Sequence, residues 1–211
     1  MPVNRVKQLH NNTYLILWDI TETADQMQNQ LHHRLHDWGA TAQHRENRHW
    51  LASRLAILEH FRNEEVEIIK DPFNKPHLRV DDQDWNISIT HSFEKAAVLI
   101  SPDQRVALDL ERMDERIVRV KKKFCSDAEL VFSEISGQES QSLALIWAAK
   151  ETMYKWYGKK ELDFKRNLHV HPFQLNDGLT QLHGRIQKGT YFSEHIIQLE
   201  KMGEYVLTYL V

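Results

Sequence analysis

Two segments of this chain carry side chains able to do chemistry together. In Val106-Ala107-Leu108-Asp109-Leu110-Glu111 the acids alternate with apolar residues, so an extended strand sends both carboxylates out of one face. Like charges on one face repel unless a cation or a basic group sits between them, which makes the pair a candidate for a hard metal held by oxygen. An Asp-x-Glu by itself is more often a solvated strand face. The segment from Ser140 to Tyr157 alters that balance, because Leu143, Leu145, Ile146, Trp147, Met153, Tyr154, Trp156 and Tyr157 cover nearly every direction of a helix and require it to be buried. At 3.6 residues per turn Ala144, Ala148, Glu151 and Lys155 share one narrow stripe, two small residues beside two ionisable ones, as in the wall of a cavity. Charges on a buried helix need partners, and the Asp109/Glu111 face with a divalent ion supplies them. Three carboxylates (Asp109, Glu111 and Glu151) are hard donors that suit Mg²⁺ better than Zn²⁺, and the 13 histidines show no zinc-ligand spacing.

These groups must be positioned by the elements around them. Asn12 to Ile20 reads as a strand, Thr21 to Gly39 as a helix capped by Thr21 or Thr23, and Ala42 to Phe61 as a second helix. Short strands are expected at Val66 to Lys70, Asn86 to Thr90, Ala96 to Ile100 and Arg105 to Glu111, with turns at Asp71-Pro72 and Ser101-Pro102-Asp103. A basic stretch from Arg116 to Lys123 precedes a helix start in which Ser126 caps and Glu129 completes a capping box. The long helix ends at Gly158, and strands follow near Leu168 to Leu175, Arg185 to Lys188, Glu194 to Leu199 and Tyr205 to Leu210, with Asp177-Gly178 as a hairpin turn.

Composition narrows the classes. Hydrophobic residues at 41% and charged residues at 27% describe a folding chain, not a disordered or collagenous one. With 27 basic against 30 acidic residues, no overall field attracts a phosphate backbone or an anionic bilayer, so neither nucleic acid nor membrane is an expected partner. The lone Cys125 cannot close an intramolecular disulfide, and the first residues lack a secretory pattern; both point to a reducing cytoplasm. No apolar run reaches the ~20 residues that span a bilayer.

Four blocks, in matching order and spacing, resemble those of the 4'-phosphopantetheinyl transferase superfamily, specifically its larger, pseudo-dimeric, surfactin-synthetase-activating type. Asn74-Lys75-Pro76 is similar to the family's Gly-Lys-Pro, and Asn86-Ile87-Ser88-Ile89-Thr90-His91-Ser92 to its Asn-x-Ser-x-Ser-His-Ser. Ala107 to Glu111 is similar to Gly-x-Asp-x-Glu, and Trp147 to Lys155 to Trp-x-x-Lys-Glu-x-x-x-Lys. Asn74 replaces a glycine, and asparagine tolerates the positive φ such a turn favours.

The resemblance implies an α+β fold of two pseudo-symmetric halves, each a small, mostly antiparallel sheet packed by helices. The N-terminal half, residues 1–103, is expected to contribute to coenzyme A binding; the C-terminal half, 104–211, is expected to carry the Mg²⁺-binding and catalytic residues. It implies transfer of the 4'-phosphopantetheine arm of coenzyme A to a serine of an acyl or peptidyl carrier protein by a monomer. Asp109, Glu111 and Glu151 then hold the metal, with Asp109, Glu151 and Lys155 catalytic; the choice of general base stays open. Arg48, Lys75 and His91 match positions near the adenosine and its 3'-phosphate, Pro76 and Thr90 line the nucleotide site, and Lys150 is a further coenzyme candidate. The basic stretch is either a solvated face or a dock for an acidic carrier. Two rival classes stay in view: a non-catalytic coenzyme A-binding or carrier-docking protein, and a metal-dependent nuclease.

Overall fold

The computed structural model describes residues 4–10, 12–31 and 47–211. The chain divides into two compact units, Met1–Val106 and Ala107–Val211. It is a mixed α+β architecture of two antiparallel sheets, each packed by helices.

In the first unit, β1 (Asn4–His10), β2 (Thr13–Asp19), β3 (Val66–Lys70), β4 (Pro76–Val80), β5 (Gln83–Ser92) and β6 (Lys95–Ser101) form a sheet in the order β1-β2-β6-β5-β4-β3. Helix α1 (Ala24–Leu31) begins at Thr23: its hydroxyl accepts from Gln26 N while Gln26 Oε1 accepts from Thr23 N, a reciprocal box that settles the cap. Helix α2 (Arg48–His60) is capped by Asn47, whose side chain accepts from Trp50 N, and buries Leu51, Leu55 and Ile57 against Trp18, Ile87 and Val98. The parts of the two expected helices that fall on residues 32–46 lie outside the described residues. Strands β1 and β4 were not legible beforehand: β1 is largely exposed and β4 begins at Pro76, so neither carries clean alternation. Asn74 does take φ 65 in the turn before β4, where Asp71 Oδ1 accepts from Phe73 N and Lys75 N.

In the second unit, β7 (Ala107–Arg112), β8 (Leu168–Val170), β9 (Gln181–Lys188), β10 (Tyr191–Met202) and β11 (Tyr205–Leu210) run in the order β7-β11-β10-β9-β8. A 3₁₀ turn (Glu115–Val120) leads into α3 (Lys121–Phe124), then α4 (Asp127–Ile135) and α5 (Glu139–Tyr157). Ser126 and Glu129 form the expected capping box of α4, and α5 stops at Gly158 in the left-handed region, φ 68. The strand expected over 168–175 is only β8, and Asp177-Gly178 sits inside a longer β8–β9 loop instead of a tight hairpin. Helix α5 lies close on the sheet because β9 offers Gly184 beneath it; a Cβ there would stand 2.9 Å from Met153 Sδ. Leu143, Ile146 and Met153 pack with Leu182, Ile186, Ile197 and Val206.

Candidate active site

The acidic strand β7 is an edge strand paired with β11, Asp109 opposite Thr208 and Leu110 opposite Leu207. It is no solvated edge: Asp109 is 4% exposed and Leu108 and Leu110 are fully buried. Helix α5 runs antiparallel to it. Midway along the helix Trp147 Nε1 donates to Glu111 Oε1 at 2.7 Å, and two turns later Lys155 Nζ donates to Asp109 Oδ1 at 2.7 Å and to Leu108 O at 3.0 Å. Thr152 braces the same helix against β11, its hydroxyl 2.7 Å from that of Thr208. Aromatic packing holds Trp147 in place, edge-on to Phe124 and stacked at 5.3 Å on Phe164.

The electrostatics follow from this crowding. Burial, then the charge of Asp109, pushes Glu111 up to about 7, although the Trp147 N–H and Lys155 pull it back. Glu151 is likewise pushed up to about 7, by burial and by Asp109, with Lys155 opposing. The charges of Asp109 and Lys155 thus act on both Glu111 and Glu151. The small residues of the helix stripe behave otherwise: Ala144 and Ala148 are fully buried and packed, so only its Glu151/Lys155 end is partly open.

Among the described residues no three His, Cys, Asp or Glu side chains are already drawn together to hold a metal ion. The donor chemistry nonetheless suits a hard divalent cation: the acids offer only carboxylate oxygens, and burial and the charge of Asp109 both disfavour the ionised forms of Glu111 and Glu151, a penalty that a cation would offset.

Lys150 is a correction. It was a candidate ligand for the coenzyme, but its side chain is 0% exposed and all three of its N–H groups are used: Phe124 O at 2.7 Å, Glu129 Oε2 at 2.7 Å and Phe164 O at 2.8 Å. Burial lowers its pKa while Glu129 raises it. Glu129 is itself satisfied further by Ser126 N and Val170 N, so the pair staples α4, α5 and β8. The helical wheel held the signal: Lys150 shares its face with Leu143, Ile146 and Met153, about 100° from Glu151.

The other candidates lie in the first unit. Lys75 is half-buried at the start of β4, its pKa lowered by burial and by the nearby Arg105, a basic neighbour that motif reading passed over. Pro76 follows at the first position of β4; on β5, Thr90 is buried and His91 exposed. Arg48 is partly committed to the fold, Nε donating to Glu22 O and Nη2 to Ile20 O, both at 3.0 Å. His49, beside it, stacks flat on His91 with ring centroids 4.3 Å apart. In the basic stretch Lys121 is paired with Glu134 at 2.8 Å and Glu139 at 2.5 Å, whereas Lys122 and Lys123 are exposed.

Comparison with known sequences adds a family. Residues 105–210, half of the chain, match the 4'-phosphopantetheinyl transferase superfamily. A relative named 4'-phosphopantetheinyl transferase gsp, from Aneurinibacillus migulanus, is 30% identical over 99 residues. That match spans 46% of this chain and 40% of the relative.

Proposed function

This chain belongs to the 4'-phosphopantetheinyl transferase superfamily, and from that we propose that it moves the 4'-phosphopantetheine arm of coenzyme A to a serine of an acyl or peptidyl carrier protein. What supports the reading is the contact of Lys155 with Asp109 and of Trp147 with Glu111, which lays α5 along β7 and brings Glu151 under the charge of Asp109, inside the span that matches the family.

The serine oxygen forms a bond to the pantetheine-side phosphorus of the pyrophosphate, the bond from that phosphorus to the bridging oxygen breaks, and adenosine 3',5'-bisphosphate leaves. The serine must lose a proton. Glu151 takes it directly or through a water, a proton transfer within reach of a positioned carboxylate. Lys155, oriented by Asp109 and Leu108 O, offers positive charge to the leaving pyrophosphate oxygen. Asp109, Glu111 and Glu151 would hold Mg²⁺, which when bound neutralises charge on the pyrophosphate. Trp147 holds Glu111 in orientation.

The first unit is assigned the coenzyme through Arg48, Lys75, Pro76, Thr90 and His91, without Lys150; cationic groups suit so anionic a ligand. Lys122 and Lys123 supply positive charge for an acidic carrier. No helix among the described residues is long and apolar enough to cross a membrane, and we assign the enzyme to the cytoplasm as a monomer.

The test is intact-mass measurement after incubation with coenzyme A, Mg²⁺ and a panel of apo carriers. One carrier is expected to gain the phosphopantetheine mass, and Glu151→Gln to lower the rate at least ~100-fold while binding coenzyme A. A protein that binds coenzyme A yet modifies no carrier would be a binding module, and the transfer reaction would be withdrawn.

A further inference from the structure

His91 stands near the end of β5, and its ring lies on that of His49 with the planes 1° from parallel. His49 belongs to the first turn of α2, and its Nε2 is 2.5 Å from the carbonyl oxygen of Phe93. A carbonyl only accepts, so Nε2 carries the proton and His49 donates. Phe93 sits at φ 50 in the turn that joins β5 to β6, two residues beyond His91. The next residue in that turn is tied from another side, Ile20 N donating to Glu94 O at 2.7 Å, and Arg48 in turn donates to the carbonyls of Ile20 and Glu22. Arg48 and His49 thus bind the first turn of α2 to the exit of β2 and to the β5–β6 turn, closing a circuit of backbone-directed bonds around the base of His91.

An exposed imidazole at a strand end has several rotamers, and a ligand that uses it must select one. A flat ring already bonded to the backbone makes that selection beforehand. From this geometry we propose that His49 is a positioning residue: it holds the His91 ring in the orientation that engages a phosphate of coenzyme A, without touching the ligand itself. The proposal rests on the coenzyme reading of His91 given above.

Calorimetric titration of coenzyme A into the intact protein tests it, with His49→Ala, His49→Phe, His91→Ala and the His49→Ala/His91→Ala double variant. His49→Ala is expected to weaken binding roughly three- to tenfold, the range that fixing one side chain in advance accounts for. His49→Phe keeps a flat ring for the stack and recovers part of the loss. Because His49 acts through His91, the double variant binds no more weakly than His91→Ala alone. Fully additive losses, or wild-type affinity in His49→Ala where His91→Ala is weakened, overturn the positioning role and leave the coenzyme reading of His91 in place. Wild-type affinity in His91→Ala removes that reading and the role of His49 together.

Discussion

Replacing Lys150 by methionine separates the two roles open to a lysine next to Glu151. The ammonium is fully buried and bonded to Phe124 O, Phe164 O and Glu129 Oε2. Methionine fills nearly the same volume, so little cavity forms, but three acceptors lose their donor and the Glu129 carboxylate, 2% exposed, is left without its counter-charge. Removing one partner of such a buried pair costs about 3–5 kcal/mol, because an uncompensated charge remains inside. For a chain of this size that corresponds to a fall in Tm of roughly 6–20 °C, at ~2–4 °C per kcal/mol. Glu129→Gln in the Lys150→Met background removes the stranded charge while keeping an acceptor for Ser126 N or Val170 N, and roughly half of the loss should return. Calorimetric melting and urea titration measure both variants, and coenzyme A titration at a temperature where each is folded should show near wild-type affinity. A Lys150→Met protein that melts within about 2 °C of wild type yet binds coenzyme A tenfold more weakly would refute the reasoning and return the ammonium to the ligand.

Three further outcomes are expected. Glu111 and Glu151 titrate higher folded than unfolded, so without metal their stabilising contribution is complete below about 4.5 and lost as pH rises through about 7. Added Mg²⁺ should therefore raise Tm more at pH 8 than at pH 6, and an equal shift at both would exclude these carboxyls as its ligands. Trp147→Phe keeps the aromatic packing but deletes the N–H on Glu111, and should raise the Mg²⁺ concentration for half-maximal activity roughly tenfold with coenzyme A affinity unchanged. Lys122→Glu with Lys123→Glu should raise the KM for the carrier severalfold and leave that for coenzyme A alone, whereas Lys121→Glu should also lower Tm because its pairs with Glu134 and Glu139 are broken.

What the amino-acid sequence determined by itself was local. Period-two alternation placed Asp109 and Glu111 on one face, and the helical period placed Glu151 with Lys155, because side-chain direction repeats with the backbone. Capping at Ser126 and Glu129 was legible for the same reason, being settled by neighbours a few residues away, whereas the positive φ of Asn74 was read from the family glycine it replaces. Tertiary structure decided which groups meet across distant segments. Trp147 reaches Glu111 and Lys155 reaches Asp109 only once α5 lies antiparallel to β7, and β1, weakly patterned, becomes a strand because β2 offers it an open edge. Tertiary structure also decided how adjacent charges differ: one residue of helix turns a side chain by about 100°, which sends Lys150 inward to Glu129 and leaves Glu151 beside the strand acids. A motif names both residues alike; the direction of the packed core separates them.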